Sequence, residues 1–393
     1  MTEHCRAAGL GLMMLLAAGI VSAQEDREEA PAEEAGFWSQ FIDPDDGKLD
    51  MSRWLVDNAY GFLPVPIIIS EPAVDDGLGL GALFFHEPDP DDPPPEPGKF
   101  ILPDVSAVAG AWTGNDSWFL GGGHFSNWKQ DSRRYLGIVG FADINLDFYG
   151  LDDLPSLPGG SLGFNAKGFF TDHKLLFRLG DTRWFLGGDY RFLTTDVAFD
   201  LNTGIPPIDN LGREDQVSGL GLVARYEQLD SRFSPSRGFD AELLIRANAD
   251  AIGSDYDFEE YNWKLRQYFT FGEKYSLAWR FDGSMTSGDV PFYLEPFVQL
   301  QGIPAMRYQG SAVATAEVRG GYHFTPRWQG LAFVGAGRAA DDFSELGSES
   351  TRTAYGVGFR YLIAKLFGMK VGIDVARGPE ETVFYIVTGN AWP

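Results

Sequence analysis

The sequence predicts an all-β protein, a transmembrane antiparallel β-barrel of about 16 strands. Three observations point there: a glycine and aromatic excess, recurring strand-length alternation, and an export signal. The 393 residues include 48 Gly beside 31 Phe, 15 Tyr and 10 Trp. Glycine weakens helices and aromatics favour strands, so the joint excess disfavours a helical chain. Only 44% of residues are hydrophobic, which suits strands that need one apolar face each.

Residues 1–23 read as a signal peptide. Arg6 supplies a basic start, Ala7 to Val21 an apolar core, and Val21-Ser22-Ala23 the small residues a signal peptidase accepts. Cleavage between Ala23 and Gln24 removes Cys5, the single cysteine. The apolar run is shorter than the roughly 20 residues of a comfortable membrane helix. Residues 24–58 form an acidic periplasmic spacer, with ten carboxylates against Arg27 and Lys48 over Gln24 to Asp50. Its first part, Glu25 to Ala35, reads as a solvated linker. Asp50 is placed to cap a short helix through Trp54, Leu55 and Val56.

Residues 59–393 carry the barrel. In Phe239 to Ala249, Phe239, Ala241, Leu243 and Ile245 alternate with Asp240, Glu242 and Arg246. In Tyr275 to Thr286, Tyr275, Leu277, Trp279 and Phe281 alternate with Ser276, Arg280 and Asp282. Tyr261 to Phe271 and Arg352 to Ile363 behave the same way. Soluble sheets also alternate, but these segments outrun the usual strand of about 5–6 residues. Aromatics such as Tyr275, Phe271 and Tyr361 sit near the ends of the apolar faces, as in interfacial girdles. In lipid every backbone group must be paired, so the sheet closes.

Strands are expected over 62–69, 78–86, 105–113, 117–127, 133–147, 161–179, 183–199, 216–230, 238–249, 258–271, 275–287, 312–324, 328–338, 352–364, 369–377 and 382–392. Pro64 and Pro66 suit the first only to an edge strand or to a segment that is not a strand. An even strand count places both termini in the periplasm, with the connections at 200–215, 288–311 and 339–351 external. The Pro/Asp stretch around 87–104 then falls on the periplasmic side.

A net charge of −25 repels phosphate backbones, so no nucleic-acid partner is expected. Nor is an enzyme. There is no G-x-S-x-G elbow and no H-E-x-x-H. His124 with Ser126 forms an imaginable base and partner, but no third orienting group is legible. His86, His124, His173 and His323 are read as separate lumen residues. Glu87, Asp89, Asp91 and Asp92 lack the spacing of a calcium loop, and no cofactor or metal is expected.

Certain motifs resemble a known family. Asp230-Ser231-Arg232-Phe233-Ser234-Pro235-Ser236-Arg237-Gly238 is similar to the "D-x-R … P-x-R-G" turn of the BamA/TamA-like outer-membrane proteins, the bacterial surface antigen family. Pro235 fixes φ and Gly238 permits a left-handed residue. Leu300-Gln301-Gly302-Ile303-Pro304 resembles the family's "V/L-R-G-F/Y" element, with glutamine in place of arginine. Tyr355 to Tyr361 resembles its "G-x-G-x-R" strand, and Phe384 to Trp392, with Gly389, its terminal strand and closing aromatic.

The resemblance implies an outer-membrane barrel of a Gram-negative bacterium acting in protein insertion or translocation. Its partners would be the lipid bilayer, an unfolded outer-membrane client and a separate periplasmic protein. The short spacer cannot hold the family's periplasmic POTRA domains, which leaves a structural or pore-forming barrel as the alternative. The resemblance also implies a loop folded into the barrel and anchored on acidic residues. With Gln301 uncharged, Arg307 beside Tyr308 is expected either to anchor the loop on inward Glu317 or to be one of many lumen charges facing water.

Overall fold

The computed structural model describes residues 37–54, 63–86, 104–149, 161–199, 212–231, 234–388 and 392. Ala23, Gln24, the acidic stretch Glu87 to Asp92, Arg232 and Gly389 lie outside them. Sixteen strands form one antiparallel sheet in sequence order. They are β1 (Leu63–Glu71), β2 (Asp75–Phe85), β3 (Val105–Thr113), β4 (Trp118–Trp128), β5 (Arg133–Phe148), β6 (Leu162–Arg178), β7 (Trp184–Phe199) and β8 (Gly212–Leu229). β9 (Gly238–Asn248), β10 (Phe258–Phe271), β11 (Tyr275–Gly288), β12 (Ala312–His323), β13 (Trp328–Ala340), β14 (Arg352–Ala364), β15 (Met369–Arg377) and β16 (Thr382–Thr388) complete it. The sheet curls into a nearly closed barrel.

Pleating gives the wall two faces. Outward lie Leu80, Leu120, Val139, Leu222 and Val357, all exposed. Such a band would be a liability in water and is required in hydrocarbon. Inward lie Arg246, Arg280, Arg360, Glu317 and Asp374, none more than 2% exposed. Each arginine is paired: Arg246 with Asp189 and Glu260, Arg280 with Asp282 and Glu317, Arg360 with Asp374. A buried charge survives only when paired and hydrogen-bonded, and here facing strands supply the partners.

At one end most connections are short, as at 179–183, 272–274 and 324–327, with the β2–β3 connection at 86–104 the exception already expected from the Pro/Asp stretch. The opposite end carries 289–311 and 341–351, matching the side expected to be external. An aromatic girdle marks the short-turn end, where Trp184 meets Tyr226 at 5.2 Å, Tyr275 meets Tyr322 at 5.3 Å and Trp328 meets Tyr361 at 4.7 Å between ring centroids.

The resembling turn before β9 is built around Asp230. Its carboxylate accepts from the backbone N–H of Ser236 at 2.9 Å and of Arg237 at 3.1 Å. Gly238 has φ of 118°, and a Cβ there would lie 1.9 Å from the Gln228 carbonyl oxygen. Only glycine fits.

Of the last expected strand, 382–392, Thr382–Thr388 is strand and 389–391 lie outside the described residues, while Trp392 is buried in the lumen. Its indole N–H finds an acceptor there, Glu317 Oε1 at 2.6 Å, which hydrocarbon cannot offer.

Candidate functional site

Three features converge where the barrel closes: the edges of β1 and β16, the long connection between β11 and β12, and the N-terminal segment. β16 is seven residues long and pairs with Val371–Arg377 of β15. β1 pairs with β2 through Leu63–Glu71. Among the described residues no ladder joins β1 to β16. Pro64 and Pro66 deprive β1 of two backbone donors, which an edge tolerates. Here is the seam.

The 289–311 connection folds into the lumen. The Val298 N–H donates to the Tyr308 carbonyl at 2.9 Å, and Phe297 bridges Gln309, which closes it as a hairpin-like tongue. Val298, Leu300 and Ile303 are buried against Val313 and Ala354. Their side chains enter space left by Gly335 and Gly337 on the β13 wall: a Cβ at either would come 2.4 Å from Leu300 or Val298. Further out, Phe292 packs edge-on against Phe148 and Phe164, both at 5.1 Å.

The polar contacts of the tongue place Gln301 at its centre. Its Nε2 donates to Asp374 Oδ2 at 3.2 Å, while its Oε1 accepts from Arg319 at 3.2 Å. Asp374 is also held by Arg360, and Arg319 by Glu317 at 3.0 Å. Arg280 reaches both Glu317, at 3.1 Å, and the Gln299 carbonyl, at 2.8 Å. The expected Arg307–Glu317 pair is not formed. Arg307 lies over the Tyr149 ring at 4.3 Å and faces Glu380 at 3.5 Å, beside Tyr308, which donates to Glu380. Glu317 is taken by Arg280, Arg319 and Trp392. The physical reason is reach: the tongue turns back after Pro304, which carries Arg307 towards the external rim. Position 301 remains the anchor although it is neutral, because Arg360 and Arg319 supply the charge around it.

The tongue also spans the seam. The Gly302 N–H donates to the Tyr385 hydroxyl of β16 at 2.8 Å, and the Ala305 N–H to Glu71 Oε1 of β1 at 3.1 Å. Between them lies a cavity of about 20 Å³ lined by Glu71, Gln301, Ile303 and Tyr385, enough for one or two waters.

At the short-turn end the N-terminal segment docks. Arg327, in the turn before β13, receives Asp43, Asp46 and Asp50, the last at 2.6 Å. Lys365 adds Asp43 at 3.1 Å and Asp45 at 3.0 Å. The Ser52 N–H donates to Asp50 Oδ1 at 2.7 Å and opens the helical turn 52–54; residues 55–58 lie outside the described residues. Met51 and Trp54 pack on Leu63, Val65 and Met369. The Arg327 hydrogen bond holds the Asp46 carboxyl below its ordinary range. Burial pushes Asp50 up, but hydrogen bonds from Ser52 and Arg327 outweigh it and the net shift is downward.

The histidines depart from expectation. Only His323 continues the lumen-facing row of Glu317 and Arg319. His124 pairs with Ser106 and Gly137, and His173 with Gly137. Those positions share a face with Val108 and Val139, both exposed on the outside. In Trp118–Trp128 consecutive glycines at 121–123 erase the alternation, so the sequence did not reveal which side His124 takes.

Barrel, inward tongue and unladdered seam together define the class: an outer-membrane-type β-barrel with an internal loop. Within that class the fold is BamA/TamA-like. No family model matches the chain, and no curated protein matches it in sequence. Among solved structures, BamA from Haemophilus ducreyi lacking POTRA domains 1–3 is similar at a TM-score of 0.56 and 12% identity, covering 84% of this chain and 70% of that one. CdiB from Escherichia coli gives 0.55 and 11%, covering 83% and 62%. CdiB from Acinetobacter baumannii gives 0.52 and 11%, covering 83% and 59%. The chain thus spans about three fifths of the length of the CdiB chains.

Proposed function

We propose that the protein is an outer-membrane barrel that inserts or translocates protein chains at its β1–β16 seam. The observation that carries this reading is the way the seam is held. Every other neighbouring pair of strands shares a ladder, whereas β1 and β16 are bridged from inside through Gly302–Tyr385 and Ala305–Glu71. A typical hydrogen bond contributes about 0.5–1.5 kcal/mol net, so two of them are easily exchanged for contacts with an incoming strand. A client edge that adds to β1 or β16 would gain main-chain hydrogen bonds. A separate periplasmic protein would deliver that client.

Cysteine pairs placed between β1 (Leu63–Glu71) and β16 (Thr382–Thr388) test the idea. Locking the seam should reproduce the depletion phenotype, a fall in other outer-membrane barrels measured by proteomics. Unchanged barrel levels on depletion would refute it. The alternative, a structural or pore-forming barrel without assembly activity, is weakened in its pore form by the tongue that folds into the lumen. Its structural form predicts that locking the seam changes nothing.

A further inference from the structure

The outward face of β2–β6 carries a hydrogen-bonded polar row at the level where the apolar band meets the short-turn end. His86 follows the last residue of β2, Ser106 is second in β3, and His124 and Ser126 lie in the final turnward stretch of β4. His86 Nε2 is 2.8 Å from Ser106 Oγ, and Ser106 Oγ is 2.9 Å from His124 Nδ1. His124 Nε2 is 3.1 Å from Ser126 Oγ, which donates to the Asp104 carboxylate.

With Asp104 ionised and both imidazoles neutral, one proton arrangement satisfies every contact. Ser126 donates to Asp104, His124 Nε2–H to Ser126, Ser106 to His124 Nδ1, and His86 Nε2–H to Ser106. The carboxylate therefore fixes the His124 tautomer and points its basic nitrogen at the Ser106 hydroxyl. This is the nucleophile, base and orienting group required for covalent acyl transfer. Accessibility follows the same division. Ser126 is 1% exposed, while Ser106 is half-buried and its face continues into exposed Val108. Beside it, Tyr135 meets His173 Nδ1 at 2.7 Å, extending the polar row along the lipid surface. Residues that merely marked the interface would be tryptophans or tyrosines, as at Trp128 and Trp184.

We propose that Ser106 and His124 form a lipid-facing esterase site that hydrolyses an acyl ester of a periplasmic-leaflet glycerophospholipid. Ser106 Oγ attacks the ester carbonyl as its proton passes to His124 Nδ1. His86 Nε2–H, 2.8 Å from Ser106 Oγ, donates to the attacking oxygen. The ester C–O bond breaks, and His124 returns the proton to the departing lysophospholipid hydroxyl. Water then attacks the acyl-serine, its proton passing through His124 back to Ser106 as fatty acid leaves. Ser126 and Asp104 are positioning residues.

The full chain, reconstituted in phosphatidylethanolamine and phosphatidylglycerol vesicles carrying a fluorescent acyl chain, should release fatty acid. A fluorophosphonate probe should modify Ser106, mapped by mass spectrometry on the unmutated protein. Ser106→Ala should abolish both signals with heat-modifiability intact, and His124→Ala should slow them about 100-fold or more. Ser126→Ala should slow release and Ser126→Thr restore it, whereas a purely structural hydroxyl would leave the rate unmoved. Absence of release, release undiminished in Ser106→Ala, or probe on another residue overturns the proposal.

Discussion

Gly302 and Gly378 meet backbone to backbone. A Cβ at Gly378 would lie 1.9 Å from the Gly302 carbonyl oxygen, and one at Gly302 would lie 2.8 Å from the Gly378 nitrogen. Gly302 also has φ of 92°, a region that costs other residues about 1–3 kcal/mol. The tip of the tongue is therefore seated on the β15–β16 turn through two absent side chains. Gly302→Ala or Gly378→Ala should unseat it. Limited proteolysis should then cut within 289–311 at protease levels that spare the parent protein, and planar-bilayer conductance should rise.

Anchoring should follow position 301 rather than 307. Gln301→Ala removes bonds to Asp374 and Arg319 and leaves buried charged partners under-satisfied, a loss of about 1–3 kcal/mol. The midpoint of heat-modifiability should fall and the tongue become protease-sensitive. Arg307→Ala removes a partly exposed pair and should change stability by less than about 1 kcal/mol. Equal effects of the two variants would contradict this assignment.

Glu317 holds Arg280, Arg319 and Trp392 at once. Replacing it by alanine leaves buried cations uncompensated, at a cost of about 3–5 kcal/mol. Trp392→Phe keeps the ring and loses only the indole N–H bond, so its cost should be about 0.5–1.5 kcal/mol. Heat-modifiability in detergent compares the two. If Trp392→Phe proved as damaging as Glu317→Ala, the carboxylate would not be the hub.

Docking of the N-terminal segment should be acid-labile. The Asp46 and Asp50 carboxyls are depressed when bound to Arg327. Depressed carboxylates contribute stability above their unfolded pKa, about 4, and lose it as pH falls through their folded values. A spin label on Lys48→Cys should stay immobile at pH 7 and pH 5 and gain mobility below about pH 4. Arg327→Ala should mobilise it at every pH. A label whose mobility is independent of pH would show that apolar packing of Met51 and Trp54 holds the segment instead.

Alternation in segments such as Phe239 to Ala249 was enough to read the strands. A strand paired on both edges and solvated differently on its two faces writes that difference into every second residue. The turn at Asp230 to Gly238 was legible because φ and donor requirements select particular residue types locally. Partners across the lumen were not legible. Asp374 meets Gln301 and Arg360 because the barrel's curvature brings the tongue against β14 and β15, and no local spacing encodes that. Nor could the sequence show that Arg307 points to the rim or that Trp392 turns inward.

By itself, then, the sequence indicated about sixteen strands, their apolar face and a proline-bearing first segment fit only for an edge or for no strand at all. These follow from backbone pairing and periodicity, which are short-range. Tertiary structure alone decided which charges meet, that the tongue bridges the seam, and that Ser106 and His124 lie on the outward face. Those outcomes depend on closing sixteen strands into a ring, where residues distant in sequence share one wall.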